Sequence, residues 1–357
     1  MEDDTLNDGG KTRSATIVDV AKRANVAIGT VSRYLNGFPI RRANREQIEE
    51  AIQALRFKRN AAAVAMKTDV THVVGLLANS FDDFHGAMLE HLSRALRRDG
   101  RALLIYCHGG DTRLMDDGID YFSTQRIDAL VMSGVERLFD RVDQLVEEGV
   151  PVVLYDNDLA GLKADRVFVN NREASYHAVR HLLDIGHRRI GTLMGRLSDS
   201  AANERHLGYC DALSERGIEI DPAYSAPGHW SMVGGTDATR QLMQLPEPPT
   251  AIFSANYPMT LGALRYFKDA KIRMPDDVSV VSFDDLPLFG LHEPGITVVA
   301  QPIHTIAQTI ADVIERRLRG SADTPFSTTS LRCEVILRAS TKPAQDTGLD
   351  RRPGSSA

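Results

Sequence analysis

Apolar residues near the start of the chain recur at the spacing of an α-helix. They are Ile17, Val20, Ala21 and Ala24, which share one face of a 3.6-residue repeat. The Thr16 hydroxyl and the Asp19 carboxylate stand three positions apart, the spacing of a capping box. We therefore predict a short helix that begins directly after Thr16.

Two further helices are predicted close behind the first. One should run from Ile28 to Leu35, where Asn36-Gly37 stops it. The next should begin at Asn44, with Gln47 completing its cap. Its inward-facing positions are Ile48, Ala51, Ile52 and Leu55. Three short helices with a tight turn between the first two predict a helix-turn-helix module over residues 16–57.

From Thr71 onward, short apolar segments alternate with amphipathic, helix-like ones. The apolar segments are THVVGLLA, RALLIYC, IDALVMSG, PVVLY, RIGTLMG, AIFSA and VSVVSF. This alternation is typical of parallel sheets with helices on both faces, and about ten strands favour two lobes over one long sheet. Because ligands of such sheets bind outside the carboxyl ends of the strands, site residues should lie in the loops that follow them.

Three polar segments flank these regions. Residues 1–15 and 342–357 are polar and aperiodic, and we expect both to be disordered tails. Residues 58–70, KRNAAAVAMKTDV, form a linker with an alanine-rich centre. The linker has good helix propensity but is too short to form a stable helix alone in water.

Charge is distributed unevenly along the chain. The formal net charge is −6, which by itself argues against a nucleic-acid partner. From Lys11 to Lys67, however, 12 basic residues stand against 4 acidic ones, so this segment carries +8 and the remainder −14. A small basic head on an acidic body is typical of a DNA-binding module joined to another domain.

Several classes of protein find no support in the sequence. No apolar run approaches the roughly 18 residues that span a bilayer, and the N-terminal residues lack the apolar core of a secretory signal. The three cysteines have no metal-ligand spacing and fit free thiols in a reducing cytoplasm. The sequence contains no nucleophile elbow, zinc-protease motif or phosphate-binding glycine loop. We therefore expect a cytoplasmic protein that is not an enzyme and needs no cofactor or metal.

The second predicted helix carries the candidate DNA contacts. In helix-turn-helix modules its N-terminal residues meet base edges in the major groove. Ile28 and Gly29 would lead, and Arg33, about one turn further, can bind guanine through two hydrogen bonds. The short polar side chains suited to phosphate oxygens are Thr30, Ser32 and Asn36. A small protein-interaction bundle is the alternative interpretation of the same pattern.

The segment TIVDVAKRANVAIGTVSRYLNG resembles the N-terminal signature of the lactose-repressor/purine-repressor (LacI/GalR) family of bacterial transcription regulators. LRFKRNAAAVAMK is similar to the hinge of that family. The further motifs follow in the family's order and spacing: HLLDIGHRRIGTLMG, RHLGY, PPTAIFSAN, MPDDVSVVSFDD, ITVVAQP and EVILRAST. The resemblance thus covers nearly the whole chain.

The resemblance implies a homodimer with two helix-turn-helix heads and an α/β core like the periplasmic sugar-binding proteins. The core would span residues 71–341. Its first lobe would take residues 71–158 and 300–326, and its second lobe residues 159–298 and 327–341.

The resemblance also implies a hinge helix that folds on operator DNA and inserts a side chain into a central minor-groove step. Here that side chain would be Met66, which is apolar and flexible. Arg59 stands where the family has proline, and Val64 where it has arginine. Val64 removes a cation near the DNA backbone, whereas Lys58 and Arg59 add two just upstream. The remaining expected DNA contacts are Thr16 and Lys67.

An effector site is implied between the lobes. Arg205 matches the family's ligand-binding arginine, and Asp284 matches an aspartate that follows a strand of the second lobe. An arginine and an aspartate on separate loops can bridge neighbouring hydroxyl groups, one donating and the other accepting. Trp230 falls where the family has an aromatic platform for a sugar ring or a base. The alternatives are a structural salt bridge for the first pair and ordinary core packing for Trp230.

The first lobe should contribute the loop after THVVGLLAN and the residue after PVVLY. The expected contacts are Phe81, Asp82, Phe84, His85 and Asp156. For His85, a packing role is the alternative. Asn256 keeps the family's asparagine, but Tyr257 replaces the aspartate that follows it. This loss removes one acceptor for a neutral sugar and one source of repulsion for a sugar acid, so both remain candidate effectors.

Together these expectations describe a sequence-specific DNA-binding regulator, a repressor of a catabolic operon that responds to a sugar or sugar derivative. A solute receptor with the same two-lobed core and an α/β carbohydrate-active enzyme are the alternatives. The basic head and the lack of a secretory signal argue against the receptor, and the lack of a catalytic motif argues against the enzyme.

Overall fold

The computed structural model describes residues 15–59, 68, 70–320 and 324–344. The chain forms two compact units, Met1–Thr71 and His72–Ala357, called here the head and the core. Most of the expected hinge, including Val64, Met66 and Lys67, lies outside the described residues.

Three helices form the head: α1 (Ile17–Arg23), α2 (Ile28–Leu35) and α3 (Arg42–Ala54). The capping box is confirmed, because the Thr16 amide donates to the Asp19 carboxylate over 2.7 Å and the Asp19 amide donates to the Thr16 hydroxyl over 3.3 Å. The helices bury a small apolar core made of Val20, Ala21, Ala24, Val31, Ile48 and Ala51.

The predicted start of the third helix was wrong by two residues. The helix begins at Arg42 after an extended Arg41, and no side chain caps it. Asn44 therefore lies inside the first turn instead of capping it. Arg42 and Ala43 are good helix formers, so the helix extends back to Arg42 without a polar cap.

The first lobe of the core is built on a six-stranded parallel sheet. Its strands are β1 (Val73–Ala78), β2 (Ala102–Cys107), β3 (Ala129–Ser133), β4 (Val152–Tyr155), β5 (Asp165–Val169) and β11 (Thr328–Leu331). They lie in the order β11-β5-β4-β3-β1-β2. The connecting helices are α4 (Asp83–Arg98), α5 (Thr112–Gln125) and α6 (Phe139–Glu147), with a 3₁₀ turn at Glu136–Leu138.

The second lobe repeats this design. Its strands are β6 (Ile190–Met194), β7 (Ser225–Pro227), β8 (Ala251–Ser254), β9 (Ser279–Phe283), β10 (Thr297–Ala300) and β12 (Glu334–Ile336). Their order is β12-β10-β9-β8-β6-β7, and β12 is antiparallel to β10. The helices are α7 (Asn171–Asp184), α8 (Ser200–Glu215), α9 (Met232–Met243), α10 (Tyr257–Ala270) and α11 (Pro287–Leu291), with a 3₁₀ turn at Pro222–Tyr224. The last helix, α12 (Ile303–Arg319), follows β10 but packs against α4, β4 and β5 of the first lobe.

Two strands lie in the other lobe from the one expected. β5 and β11 fall within the ranges assigned to the second lobe, but β5 pairs with β4 and β11 pairs with β5 in the first sheet. Buried Asp165 holds these strands together, because it accepts hydrogen bonds from Arg317 of α12 and from Ser327. The pairing joins residues about 160 positions apart, which local periodicity cannot reveal.

The chain passes between the lobes after β5, after β10 and between β11 and β12. Asn170, directly after β5, forms hydrogen bonds with the segment that crosses between β11 and β12. Its amide donates to the Leu331 carbonyl over 3.0 Å, and its side-chain oxygen accepts from the Cys333 amide over 2.8 Å. In the part of the chain that the structure describes, no helix is both long and apolar enough to cross a membrane.

Candidate DNA-binding surface and effector cleft

The second helix of the head begins without a side-chain cap. Ala27 is its N-cap residue, and the Ala27 carbonyl accepts from the amides of Thr30 and Val31. The amides of Ile28 and Gly29 are first-turn donors that have no acceptor within the helix. An added Cβ at Gly29 would meet no atom within 4 Å, and the Ile28 side chain is exposed. This helix start is suited to close contact with a phosphate, because its amides and its dipole both favour an anion.

A groove of about 480 Å³ lies beside this helix start, between α2 and the beginning of α3. It is lined by Thr30, Arg33, Pro39, Ile40, Arg41 and Asn44. The Arg33 guanidinium lies 5.7 Å from the centre of the Phe38 ring, a cation–π distance that holds it at the surface. Two arginines along one groove form a cationic surface suited to DNA.

Three of the expected DNA contacts, Thr16, Ser32 and Asn36, have partners inside the head. The Thr16 hydroxyl donates to the Asp19 carboxylate over 2.7 Å as part of the capping box. The Asn36 side-chain nitrogen donates to the Ser32 hydroxyl over 3.5 Å, and the Asn36 oxygen accepts from Arg59 over 2.6 Å. These residues therefore shape the head, and their contact with DNA remains a prediction.

Replacing Gly29 with alanine should separate stability from DNA binding. Because the added methyl group meets nothing and alanine is the better helix former, we expect the free energy of unfolding of the head to rise by about 0.5–1 kcal/mol. The same methyl group should hinder DNA and weaken its binding. Thermal unfolding and fluorescence anisotropy of the full-length variant measure the two effects. Unchanged DNA affinity would show that Gly29 does not face the duplex.

The core brings the candidate effector residues together around Arg205, whose side chain is only 3% exposed. Its Nε donates to Asn171 over 2.8 Å, and its Nη1 donates to the Ala255 carbonyl over 2.7 Å. Its guanidinium lies 3.7 Å from the centre of the Phe283 ring. Arg205 is thus held in place on three sides before any ligand arrives.

Two carboxylates face this arginine from opposite lobes. Asp156 follows β4 and lies 3.8 Å from Nη2 of Arg205. Asp284 follows β9 and accepts from Gln301 over 2.7 Å and from the Tyr257 amide over 3.3 Å. Burial raises the pKa of both carboxyl groups, and the charge of Arg205 partly offsets that rise. The two acids and the arginine form one electrostatic unit across the cleft.

A second polar group lies on the first-lobe wall. Asp82 caps α4 by accepting from the His85 amide, and it also lies 2.8 Å from the His85 ring nitrogen Nδ1. Burial raises the pKa of Asp82, but hydrogen bonds and the charge of His85 outweigh burial and hold it at about 2. The His85 ring lies against Tyr155, whose buried hydroxyl has no hydrogen-bond partner among the described residues. That hydroxyl is an unused polar group beside the cleft.

Two further candidates, Trp230 and Asn256, form hydrogen bonds within the second lobe. The Trp230 indole donates to Asp199 over 2.7 Å and its ring covers the backbone of Gly195. The expectation that Asn256 binds effector loses support, because its oxygen caps α10 through the Met259 amide and its nitrogen donates to the Trp230 carbonyl. A residue directly after a strand is also the N-cap of the next helix, and here both ends of the Asn256 amide already have partners within the protein.

The two phenylalanines of the first-lobe loop differ in placement. Phe81 is 63% exposed, whereas Phe84 is half-buried and contacts the His85 ring edge-on. Phe84 also lines a cavity of about 180 Å³ between α4 and the segment that carries Asp284. Phe84 is thus placed beside a space between the lobes, whereas contact of Phe81 with an effector stays a prediction.

Several residues that the sequence did not single out connect the two lobes. The Asn157 oxygen accepts from the Ala201 amide over 3.0 Å, and the Asp158 amide donates to Ser200 over 2.8 Å. The Tyr257 hydroxyl accepts from the Asp83 amide over 3.1 Å. Asn157 and Asp158 directly follow a predicted strand, so their position was a usable signal. In the sequence, Tyr257 stands out only because it replaces an aspartate, and its contact with the first lobe depends on the packing of the two lobes.

The charge environment of His85 predicts a pH effect on stability. Burial lowers its pKa, but the hydrogen bond to Asp82 and the charges of Asp82, Asp156 and Asp284 outweigh burial and raise it. A raised histidine pKa adds stability that is fully present below pH 6.5 and is lost as pH rises through the folded-state pKa. Unfolding by denaturant between pH 6 and 9 should show this decline, and His85→Gln should flatten it. A decline that survives in His85→Gln would assign it to another group. Burial and the charge of His85 lower the pKa of nearby His108, so its effect on stability occurs below pH 6.5.

The fold and the two sites together define a regulator with a helix-turn-helix head and a two-lobed α/β core. Residues 16–60 match the family model of bacterial regulatory proteins, lacI family. Residues 179–341 match that of the periplasmic binding protein-like domain. These matches confirm the resemblance to the lacI family that the motifs predicted.

Similar proteins of known function support the same class. The transcriptional repressor CytR of Escherichia coli K12 is 28% identical over 331 residues, which cover 92% of this chain and 97% of CytR. The repressor PurR of Aliivibrio salmonicida is 27% identical over 310 residues, 85% of this chain and 92% of PurR. Both are helix-turn-helix transcriptional repressors. The present chain is therefore a DNA-binding transcriptional regulator.

Solved structures confirm the two-part fold. The regulator CelR in complex with cellobiose is 27% identical, with a TM-score of 0.70 over 91% of this chain and 99% of CelR. A lac repressor dimer bound to operator and an anti-inducer has a TM-score of 0.81 over 92% of this chain and 100% of its own, at 24% identity.

Proposed function

We propose that this protein is a homodimeric repressor of a catabolic operon, released from or recruited to its operator by a small effector bound between the lobes of the core. The observation that carries the proposal is the meeting of charged side chains from both lobes at one place. They are Asp82, His85, Asp156, Arg205 and Asp284. A basic helix-turn-helix head on the same chain supplies the DNA-binding function.

The effector is a sugar or a sugar derivative. Arg205 offers donors, while Asp156 and Asp284 offer acceptors, an arrangement that matches neighbouring hydroxyl groups. Trp230 and Phe84 add apolar surface for a ring. Because three carboxylates face one arginine and one histidine, a neutral polyol fits this cleft better than a sugar acid. The cellobiose complex of CelR supports the same class of ligand.

Effector binding would act through the contacts between the lobes. Asn157, Asp158 and Tyr257 each form a hydrogen bond across the cleft. A ligand that alters the pose of the lobes shifts these contacts, and the shift changes operator affinity. The coupling is reciprocal, so an effector that weakens operator binding must bind less tightly to the operator-bound protein.

The domain assignment is part of this proposal. Residues 16–57 would form the DNA-binding head, 58–70 the hinge and 71–341 the effector-binding and dimerisation core, in a protein that works in the cytoplasm. Exposed apolar side chains on and near α11 support a second copy as partner. They are Leu288, Leu291 and Leu337, of which Leu291 is 84% exposed.

Fluorescence anisotropy with duplexes selected from a random pool by the full-length protein tests the proposal. We expect enrichment of a pseudo-palindrome, a binding constant that falls steeply with salt, and a dimer by light scattering. A thermal-shift screen of sugars, sugar acids and nucleosides should identify the effector, because a ligand of the folded state raises its stability by mass action. Absence of sequence-selective binding would contradict the proposal.

A further inference from the structure

The end of the recognition helix α2 is closed in two ways. Gly37 has a positive φ of 75°, the Phe38 amide donates to the Arg33 carbonyl, and the Gly37 amide donates to the Tyr34 carbonyl. This is a Schellman motif, which pairs two carbonyl groups of the last turn. The motif provides no donor for the Leu35 carbonyl, which is the last carbonyl of the helix.

Arg59 supplies that donor from 24 residues further along the chain. Its Nη1 donates to the Leu35 carbonyl over 3.2 Å, and its Nη2 donates to the Asn36 side-chain oxygen over 2.6 Å. A guanidinium cation at the negative end of the helix dipole is favourable, and its two-pronged geometry fixes both acceptors at once. The planar fork of arginine suits this contact, whereas proline at position 59 has no donor to offer.

The contact extends to a side chain on the DNA-facing part of the helix. The Asn36 nitrogen donates to the Ser32 hydroxyl over 3.5 Å. Arg59 therefore sets the orientation of the Asn36 amide, and Asn36 in turn orients Ser32. These hydrogen bonds connect Arg59, at the end of the head, to the helix α2 that is proposed to read DNA.

We propose that Arg59 is a positioning residue for sequence recognition, acting through Asn36 on the recognition helix. The inference rests on the proposed DNA-binding function. A direct phosphate contact by Arg59 is the competing role, since it is exposed and cationic. The geometry favours positioning, because both of its terminal nitrogens already donate to acceptors of α2 and its cap.

Arg59→Ala in the full-length protein tests the proposal, with Lys58→Ala as the matched control that also removes one exposed cation. The probes are the duplex selected from a random pool by the unsubstituted protein and an unrelated duplex of equal length. We expect Arg59→Ala to lower the ratio of selected to unrelated affinity by about five- to tenfold. Lys58→Ala should weaken both duplexes together and leave the ratio unchanged.

The salt dependence distinguishes positioning from phosphate contact. Loss of a phosphate contact reduces the slope of log binding constant against log salt by about 0.9, whereas loss of positioning leaves it unchanged. A double-mutant cycle adds a second criterion: if Arg59 acts through Asn36, Arg59→Ala should have little further effect in an Asn36→Ala background. A reduced slope with an unchanged affinity ratio, or full additivity of the two substitutions, would overturn the proposal.

Folding is checked separately. Arg59→Lys keeps the charge but loses the fork, so the ratio of selected to unrelated affinity should stay as low as in Arg59→Ala. Helix content by circular dichroism should match the unsubstituted protein in both variants. If the unsubstituted protein selects no sequence, the proposed function fails. If it selects one and Arg59→Ala keeps the full ratio, only the role of Arg59 fails.

Discussion

Arg205→Ala is expected to abolish the effector response while preserving operator binding, and to lower the free energy of unfolding of the core by about 3–5 kcal/mol. The loss is large because Arg205 is buried and faces Asp156 and Asp284. Without the cation, Asp284 remains buried and Asp156 partly buried, with no arginine charge between them. Operator anisotropy with and without effector, together with denaturant unfolding, measures both effects.

The pH dependence of that loss identifies its cause. In the variant, the pKa values of Asp156 and Asp284 rise further above their unfolded values, so the folded state binds protons more tightly than the unfolded one. The deficit in unfolding free energy should therefore shrink as pH falls from 7 to 5. A deficit that does not change with pH would point to lost packing against Phe283.

Two variants serve as controls for this experiment. Arg205→Lys retains the charge but cannot reproduce the paired bonds to Asn171 and Ala255, so it should recover stability more than effector response. Arg172→Ala removes an arginine from a surface ion pair with Asp211 and should leave the melting temperature and the effector response unchanged.

Arg33→Ala is expected to reduce the ratio of specific to random DNA affinity by about 5- to 150-fold, the range of one two-bond contact with guanine, worth about 1–3 kcal/mol. Arg33 lies in the groove beside the start of α2, and the neighbouring Phe38 ring holds its guanidinium at the surface. Ser32→Ala should instead weaken all duplexes alike. Anisotropy with the selected and the unrelated duplex measures both variants. Equal losses of specific and random affinity in Arg33→Ala would contradict a base contact.

The bare start of the recognition helix fits this division of roles. Ile28 and Gly29 carry no hydrogen-bonding side chain. Their backbone amides, however, have no acceptor within the helix, and no atom lies close to Gly29. The helix start can therefore approach the DNA backbone closely, and base selection depends on Arg33. Orientation of the helix then matters more, which gives Arg59 its proposed importance.

Much of the fold could be predicted because its signals are local. Thr16 and Asp19 mark the start of α1, and Asn36-Gly37 marks the end of α2, since capping and left-handed turns depend on neighbouring residues. The predicted bounds of α2 agree with the structure at both ends. The third helix was predicted less well, because its first turn relies on propensity and has no polar cap.

The main charged residues of the effector cleft could be predicted from the sequence, but the hydrogen bonds between distant residues around it could not. Arg205 and Asp284 were found through family motifs, and Asp156 through its place after a strand. That Asn256 serves as a cap, or that Tyr257 reaches the first lobe, depends on groups far away in the sequence. Tyr155 was missed because a buried strand residue looks like core until its hydroxyl is seen without a partner.

The amino-acid sequence alone was sufficient for the basic head, the alternation of strands and helices, the family and the class of function, because each of these is encoded in short motifs and local periodicity. Three-dimensional packing was needed to place β5 and β11 in the first sheet, to surround Arg205 with acids from both lobes and to bring Arg59 to the end of α2. These features join residues that are 23 to about 160 positions apart. Their pairing depends on burial, charge and hydrogen-bond geometry in the folded chain, which no local pattern contains.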